Sequence, residues 1–295
     1  DTSAERAENG RKKAIECIRL REENELNTHE EAEKAIELLS TSDDSIKTAE
    51  NARLVIEAII ENVEAKQNLF AQLDAVLPVE VPICSNTSGL RITDVTGNTC
   101  PRGDAYARKE CVHPERTVTT HFWLPAHLVP LVEVVMGDKT DEAVAVAVRD
   151  ELRKWKKAPV LVKRDLPGQL ANRVFQAIIR ESIDIVASGL ASAEDVDTAI
   201  SCGMAIRFPV GGPLKHLDAI GLNLGLSVQE TVLPSICADK TASPYIKELV
   251  EKGDLGAKTG KGFYDWSTRS IEDDMKKRDA FIIEAVKAVE RVEKK

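Results

Sequence analysis

The feature that most restricts the fold of this chain is a change in its hydrophobic periodicity near residue 165. Before that point, short apolar runs of strand length, such as residues 54–59 and 131–135, alternate with longer segments of helical spacing. Beyond it, the apolar residues recur at helical spacing and strand-like runs stop. Strands that alternate with helices form parallel sheets, so the pattern predicts an α/β domain over 1–165 and an all-helical domain over 166–295.

Composition excludes several classes of function. The chain has 295 residues with 40 basic and 49 acidic side chains, a net charge of −9, and 4% aromatic residues. Nucleic acids and anionic membrane surfaces attract positive charge, and single-stranded nucleic acids also stack on aromatic side chains. No uninterrupted apolar stretch approaches the roughly 18 residues of a spanning helix. We therefore expect a cytoplasmic protein that binds a small molecule and neither nucleic acid nor membrane.

Three potential metal ligands, Cys100, Cys111 and His113, lie in a long polar segment over residues 96–114. Their spacing matches no strong zinc motif, so we expect no metal site. A structureless loop of this length is either functional or an insertion.

A polar turn follows a short strand candidate at residues 82–85. The turn reads Ser85-Asn86-Thr87-Ser88, and open parallel sheets bind ligands at the carboxyl ends of their strands. The turn is therefore a candidate ligand-binding site. The alternative is an ordinary turn that is capped by its own side chains.

The second candidate is a histidine–glutamate pair. His121 lies near the end of a β-branched strand candidate, and Glu133 interrupts the apolar run at 131–135. An unpaired carboxylate buried in such a run would cost several kcal/mol, so Glu133 needs a partner, which His121 supplies if the two strands are neighbours. A carboxylate on one imidazole nitrogen fixes the tautomer and leaves the other nitrogen to act as a general base. The alternative is a buried pair with a structural role.

Two further segments combine glycine with polar side chains. The helix start at residues 167–173 reads Pro-Gly-Gln-Leu-Ala-Asn-Arg, and Asn172 is a weak helix former, which favours a polar role. Residues 255–264 place Lys258 and Lys261 between glycines, where a lysine can reach a phosphate, although the spacing is not that of a P-loop. The alternatives are a surface asparagine and an ordinary turn.

Together and in this order, the four segments resemble the 3-hydroxyacyl-CoA dehydrogenase family. That family carries a Ser-Asn-Thr-Ser turn, a His-Phe-x-x-Pro segment followed by Leu-Val-Glu-Val, a Pro-Gly-x-x-x-Asn-Arg helix start and a Lys-Thr-Gly-x-Gly-Phe-Tyr element. The likeness extends from Asp1 to about Trp266. It implies a Rossmann-type parallel sheet followed by an all-helical dimerisation domain, with NAD as the cofactor and a homodimer as the assembly.

The resemblance also implies roles for individual residues. His121 would be the catalytic base and Glu133 its orienting group, while Ser88 and Asn172 would hold the substrate oxygen. The positions that line the NAD site in the family fall on Asp1, Glu61, Lys66, Ser88 and Lys258. The reaction would be hydride transfer between C3 of a 3-hydroxyacyl-CoA and NAD.

Asp1 aligns with the acidic residue that binds the adenosine ribose in a Rossmann domain and favours NAD over NADP. The first strand and the Gly-x-Gly-x-x-Gly loop of such a domain have no counterpart in this sequence. We therefore expect a sheet that lacks its first βαβ elements, about 30 residues by the usual span. A non-catalytic family member that has lost cofactor binding is an alternative.

Other departures bear on cofactor and substrate. Leu124 stands where the family usually has an asparagine that contacts the cofactor. Residues 203–213 look more like relatives that oxidise free hydroxy acids, such as gulonate and carnitine dehydrogenases, and Arg207 within them could pair with a substrate carboxylate. The alternative for Arg207 is a structural salt bridge. A 3-hydroxyacyl-CoA is the expected substrate, and a free 3-hydroxy acid is the second expectation.

Overall fold

The computed structural model describes residues 3–96 and 111–293. The chain divides into two compact units, residues 1–173 and 174–295. The first unit contains a five-stranded sheet, and the second is built of helices. Of the residues singled out from the sequence, Asp1 and Cys100 lie outside the described residues.

The sheet contains its five strands in chain order: β1 (Val55–Glu57), β2 (Ile83–Ser85), β3 (Thr117–Phe122), β4 (Leu131–Met136) and β5 (Ala158–Val162). β1–β2, β2–β3 and β4–β5 are parallel pairs, whereas β3 and β4 are antiparallel. The expected α/β fold is confirmed, and the sheet is mostly parallel; the expectation of a parallel sheet is wrong at β3–β4. Residues 123–130, which we call the β3–β4 link, are too few for the crossover that parallel neighbours need.

The first unit contains six α-helices among its described residues: α1 (Ala4–Glu23), α2 (His29–Leu38), α3 (Ser45–Ala49), α4 (Val63–Val76), α5 (Ile92–Val95) and α6 (Glu142–Lys154). Polar side chains cap the starts of the longer ones. Ser3, Thr28 and Asn62 each accept a hydrogen bond from a backbone N–H of the first turn. These caps fix where α1, α2 and α4 begin.

Apolar side chains cover both faces of the sheet. Ile83 and Cys84 are consecutive in β2 and point to opposite faces, because side chains alternate along a strand. Ile83 packs with Phe70 and Leu73 of α4, and Cys84 packs in a second cluster with Leu152 of α6. The carboxyl ends of β1, β2 and β3 therefore lie along one edge of a sheet that is closed on both faces.

The long polar segment at 96–114 is described only at its ends. The backbone N–H of Cys111 donates to the carbonyl oxygen of Thr96 at 3.2 Å, so these two residues meet. The buried guanidinium of Arg116 lies 2.6 Å from Asp74 of α4, and Asp74 also accepts from the backbone N–H of His113 at 3.0 Å. The C-terminal end of the segment is thus attached to α4 by the ion pair of the adjacent Arg116 with Asp74.

The remaining α-helices are α7 (Ala171–Ala187), α8 (Ala193–Ala199), α9 (Pro213–Ile220), α10 (Leu222–Val232), α11 (Pro244–Glu251) and α12 (Ile271–Glu293). The expected helical second half is confirmed: its described residues form no strand beyond the isolated bridges Gly256–Lys261 and Lys261–Asp265. None of the helices in the described ranges has the length and hydropathy to cross a bilayer.

Candidate active site

His121 and Glu133 lie directly opposite each other in the β3–β4 pair. Opposed residues of neighbouring antiparallel strands point to the same face of a sheet. His121 Nδ1 lies 2.8 Å from Glu133 Oε2, and both residues are buried. The structure thus brings together the two side chains that the sequence singled out.

Glu133 is fully buried, and four donors surround its carboxylate. Oε2 accepts hydrogen bonds from His121 Nδ1 and from the indole Nε1 of Trp123 at 2.9 Å. Oε1 accepts from the backbone N–H groups of Leu170 and Ala171, each at 2.9 Å. Burial alone would raise the pKa of Glu133, but these hydrogen bonds outweigh burial and lower the pKa to about 2. Glu133 is therefore ionised at neutral pH.

The ionised Glu133 determines which nitrogen of the imidazole carries the proton. A carboxylate only accepts hydrogen bonds, so Nδ1 of His121 must be the donor in this contact. The neutral ring then has an unprotonated Nε2, which is the atom that can take a proton from a bound hydroxyl group.

The two backbone amides that bind Glu133 follow a left-handed turn ahead of α7. Gly168 has φ +80° and Gln169 has φ +49°. Glycine adopts this conformation freely, whereas for glutamine it costs roughly 1–2 kcal/mol. The turn directs the N–H groups of Leu170 and Ala171 at the carboxylate, where the positive end of the helix dipole also favours a negative charge.

Three contacts fix the polar turn at residues 85–88. Asn86 Oδ1 accepts a hydrogen bond from the backbone N–H of Phe122 at 3.2 Å. The hydroxyl of Thr87 donates to Glu61 Oε1, and its carbonyl oxygen accepts from the side-chain amide of Gln169 at 3.4 Å. The turn is thereby attached both to β3 and to the segment that begins α7.

Ser88 and Asn172 each directly follow a residue that makes one of these contacts. Ser88 follows Thr87 and is exposed, and Asn172 follows Ala171 and is half-buried. Within residues 3–96 and 111–293, neither side chain has a hydrogen-bond partner. Their hydroxyl and amide groups are therefore available to a ligand.

A second group of buried charges lies at the carboxyl end of β1. Lys66 of α4 is fully buried, and its Nζ lies 2.6 Å from Glu57 Oε1 and 3.5 Å from Glu61 Oε2. Ser85 Oγ donates to Glu57 Oε2 at 2.7 Å. Lys66 thus pairs with two carboxylates and is not exposed at the surface, whereas Glu61 is exposed and accepts from the backbone N–H of Gly89 at 3.0 Å.

The groups along this edge of the sheet suit one half of a dinucleotide. Glu61 and Ser88 offer polar groups at the carboxyl ends of β1 and β2, where open α/β sheets bind nucleotides. Neither is positively charged and Lys66 is paired with carboxylates, so these residues fit an uncharged part of a dinucleotide better than its pyrophosphate. A pyrophosphate usually binds a glycine-rich loop at a helix N-terminus, and the sequence has no Gly-x-Gly-x-x-Gly motif.

The other two predicted binding residues belong to the second unit. Lys258 is exposed in a short 3₁₀ turn, Ala257–Thr259. Arg207 is also exposed, and it forms no ion pair with any residue that the structure describes. The salt bridge that was the alternative for Arg207 is thus not found among those residues.

Sequence reasoning missed Glu57, Trp123 and Gln169. A signal existed for Glu57, because it is a carboxylate inside the apolar run at 54–59, the same kind of signal that Glu133 gave. No periodicity marks Trp123 or Gln169, since their contacts depend on how the β3–β4 link and the turn before α7 fold back onto Glu133.

We predict that Glu133 contributes a pH-dependent part of the stability. A carboxyl whose pKa falls from 4.5 to about 2 on folding contributes stability above pH 4.5, and this is lost as the pH falls towards 2. The difference corresponds to about 3 kcal/mol. Urea unfolding should therefore show Glu133→Gln destabilising the chain at pH 7 and progressively less as the pH approaches 3. The matched control is Glu37→Gln on the exposed side of α2; a destabilisation by Glu133→Gln that is constant with pH would contradict the prediction.

Comparison with known proteins gives the same assignment over both halves of the chain. Residues 1–166 match the family model for the 3-hydroxyacyl-CoA dehydrogenase NAD binding domain, and residues 168–266 match that for the C-terminal domain. The chain is 34% identical over 271 residues to a probable 3-hydroxybutyryl-CoA dehydrogenase of Bacillus subtilis, covering 92% of this chain and 88% of the relative. It is 31% identical over 223 residues to 5-formyl-3-hydroxy-2-methylpyridine 4-carboxylate 5-dehydrogenase of Mesorhizobium japonicum. That match covers 76% of this chain and 68% of the relative.

Solved structures give the same result. A crystal structure of 5-formyl-3-hydroxy-2-methylpyridine 4-carboxylic acid 5-dehydrogenase, an NAD⁺-dependent dismutase, matches with a TM-score of 0.75 and 27% identity, covering 88% of this chain and 87% of that one. The (S)-3-hydroxybutyryl-CoA dehydrogenase of Ralstonia eutropha matches with a TM-score of 0.68 and 29% identity. That match covers 91% of this chain and 89% of the Ralstonia chain. The chain therefore belongs to the 3-hydroxyacyl-CoA dehydrogenase family and is an NAD-dependent oxidoreductase that acts on a CH–OH group.

Proposed function

We propose that this chain oxidises the C3 hydroxyl of an (S)-3-hydroxyacyl-CoA with His121 as the general base. The observation that carries the proposal is the bond between His121 Nδ1 and the ionised Glu133. It leaves Nε2 to take the hydroxyl proton as the hydride leaves C3. NAD, when bound, is the acceptor for that hydride. In the reducing direction the imidazolium returns the proton to the substrate oxygen.

Glu133 stabilises the imidazolium that forms, and Ser88 and Asn172 hold the substrate oxygen. Both side chains are uncharged hydrogen-bond donors, so they can orient the C3–O bond towards the imidazole without competing for its proton. Their attachments support this role. Ser88 lies on the turn that Gln169 binds, and Asn172 follows the amides that bind Glu133.

For the cofactor we propose direct and indirect contributions. Glu61 and Ser88 contact the nicotinamide half, which their exposure at the carboxyl ends of β1 and β2 supports. Lys66 contributes indirectly, by holding Glu61 through its ion pair. The assignments of Asp1 to the adenosine ribose and of Lys258 to the NAD site rest on the family resemblance.

We also propose that the sheet continues beyond β1. Among the described residues β1 pairs with β2 alone, so its other edge carries unpaired backbone groups. A mainly apolar cavity of about 590 Å³ lies beside that edge, between α1 and residues 39–56. A further strand that paired with β1 would border this space and cover its apolar lining. These features support a sheet whose first βαβ elements, including the phosphate-binding loop, pair at this edge.

We expect the present chain to bind NADH more weakly than a chain in which a strand, a Gly-x-Gly-x-x-Gly loop, a helix and a second strand are joined ahead of Asp1. The added loop supplies the backbone N–H groups that hold the pyrophosphate. Fluorescence titration with NADH measures the affinity. A control insert with valine in place of the loop glycines keeps the strand but blocks close approach of the phosphates. Equal NADH affinities of all three chains would contradict the proposal that the sheet continues beyond β1.

A homodimer through the second unit is the assembly that we propose. Large apolar side chains are exposed on it, including Phe175 of α7, Leu226 of α10 and Phe281 of α12. Extended apolar surface of this kind usually marks an interaction site. Dimerisation of the helical domain is also what the family resemblance implies.

His121→Ala should lower kcat roughly 10²–10⁴-fold, because it removes the general base. The measurement is NADH consumption with acetoacetyl-CoA, with thermal unfolding as a check that the fold is retained. His29→Ala, an exposed histidine at the start of α2, is the matched control. A His121→Ala variant with full activity would contradict the assignment.

A second candidate substrate is a hydroxy acid with a free carboxylate. The relative from Mesorhizobium japonicum is named for a pyridine carboxylate and not for a CoA ester. Arg207 is exposed and has no ion-pair partner in the described part of the chain, so its guanidinium is available to a carboxylate.

Arg207→Gln separates the two substrate classes. If the substrate is a CoA ester, the unmodified chain turns over acetoacetyl-CoA faster than free acetoacetate, and the variant leaves the acetoacetyl-CoA rate unchanged. If a free acid is the substrate, the free acid is preferred and Arg207→Gln lowers kcat/KM for it roughly tenfold or more, since a charge-assisted hydrogen bond is lost. Arg207→Lys, which keeps the charge, is the control.

A further inference from the structure

We propose that Trp123 is a positioning residue for the His121–Glu133 pair. Its indole N–H shares Glu133 Oε2 with His121 and holds the carboxylate in the orientation that binds Nδ1. The inference rests on the proposed role of His121 as the base. It adds a residue to the site that touches neither the substrate oxygen nor the cofactor in that proposal.

The geometry of the shared oxygen supports the inference. His121 Nδ1 lies 2.8 Å and Trp123 Nε1 lies 2.9 Å from Glu133 Oε2. The centroids of the imidazole and indole rings are 6.2 Å apart, and the two ring planes meet edge to face at an angle of 65°. Both donors therefore reach one oxygen atom without stacking on each other.

The four donors occupy the hydrogen-bonding capacity of the carboxylate. A carboxylate has about four lone-pair sites, and Glu133 receives two hydrogen bonds on each oxygen. The indole and the two backbone amides keep their protons at every pH of interest, whereas His121 changes its protonation during the proposed reaction. The three constant donors thus keep the carboxylate from rotating when the imidazole gains or releases its proton.

The backbone that carries the indole is itself fixed. Lys157 Nζ donates to the carbonyl oxygens of Ala126 and Val129 in the β3–β4 link, and Arg21 Nη1 donates to that of His127. Arg21 of α1 and Lys157, between α6 and β5, therefore hold three carbonyl groups of the eight-residue link. A fixed link gives the indole N–H a constant direction towards Glu133.

Trp123→Phe removes the N–H and retains an aromatic ring. Oε2 then has one donor, and the carboxylate can rotate or admit water, so His121 is oriented less often for proton transfer. We expect kcat to fall roughly tenfold, the scale of one hydrogen bond to a charged group, and KM to change little because the indole contacts no substrate atom in the proposal.

The tryptophans provide a readout that does not depend on turnover. The sequence has three, Trp123, Trp155 and Trp266, so the ¹⁵N-tryptophan-labelled full chain gives three indole N–H resonances. Trp155 Nε1 donates to Glu151 Oε1 at 3.3 Å on the surface, which makes it a matched control. Glu133→Gln should shift the Trp123 resonance alone, and Glu151→Gln should shift the Trp155 resonance alone.

A double-mutant cycle in kcat separates positioning from packing. If Trp123 acts through Glu133, Trp123→Phe costs about tenfold in the unmodified chain and nothing further in the Glu133→Gln chain. A purely structural role would give the same loss in both backgrounds. Trp155→Phe should leave kcat unchanged in both.

The outcomes distinguish this inference from the proposed function. It is overturned if the Trp123 resonance does not respond to Glu133→Gln, or if Trp123→Phe has equal effects in the two backgrounds. Should Glu133→Gln fail to fold, Glu133→Asp replaces it in both experiments, because the shorter side chain keeps the charge but withdraws the carboxylate from the indole N–H and must also shift the Trp123 signal. A fully active His121→Ala variant refutes the base assignment, while the resonances still decide whether Trp123 binds Glu133.

Discussion

The carboxylate of Glu133, with its four hydrogen bonds, is the interaction on which this edge of the sheet depends. The donors come from β3, from the β3–β4 link and from the start of α7, so segments distant in sequence meet on one buried side chain. A buried carboxylate without partners would cost several kcal/mol, and the low local dielectric that causes this cost also strengthens each bond that is made. Keeping the carboxylate satisfied therefore fixes where His121 lies.

Other features of the structure follow from this requirement. The antiparallel pairing of β3 with β4 places His121 directly opposite Glu133. The left-handed conformation of Gln169 costs roughly 1–2 kcal/mol, less than an unpaired carboxylate would cost, so the structure retains the strain that directs two amides at Glu133. The side-chain amide of Gln169 also donates to the carbonyl oxygen of Thr87, and this contact attaches the turn that carries Ser88 to the segment that binds Glu133.

Part of this arrangement could be predicted from the sequence. The alternation of apolar runs with helices indicated the α/β unit, and a carboxylate inside an apolar strand required a partner, which led to His121. The direction of β4 could not be predicted from periodicity, because it depends on the short link that precedes it. Lys66 looked like a residue at the cofactor surface, but its long side chain reaches Glu57 inside the unit. The contact of Trp123 with Glu133 likewise exists only once the link folds back.

The protonation state of the imidazole tests the central claim most directly. In a chain labelled with ¹⁵N-histidine, the two ring nitrogens of His121 have separate NMR resonances, which the loss of signal in His121→Gln assigns. The account predicts that in the neutral ring the proton lies on Nδ1, held by Glu133, and that Nε2 is unprotonated. A neutral ring with its proton on Nε2 would contradict the account, because that nitrogen could then not accept a proton from a substrate hydroxyl.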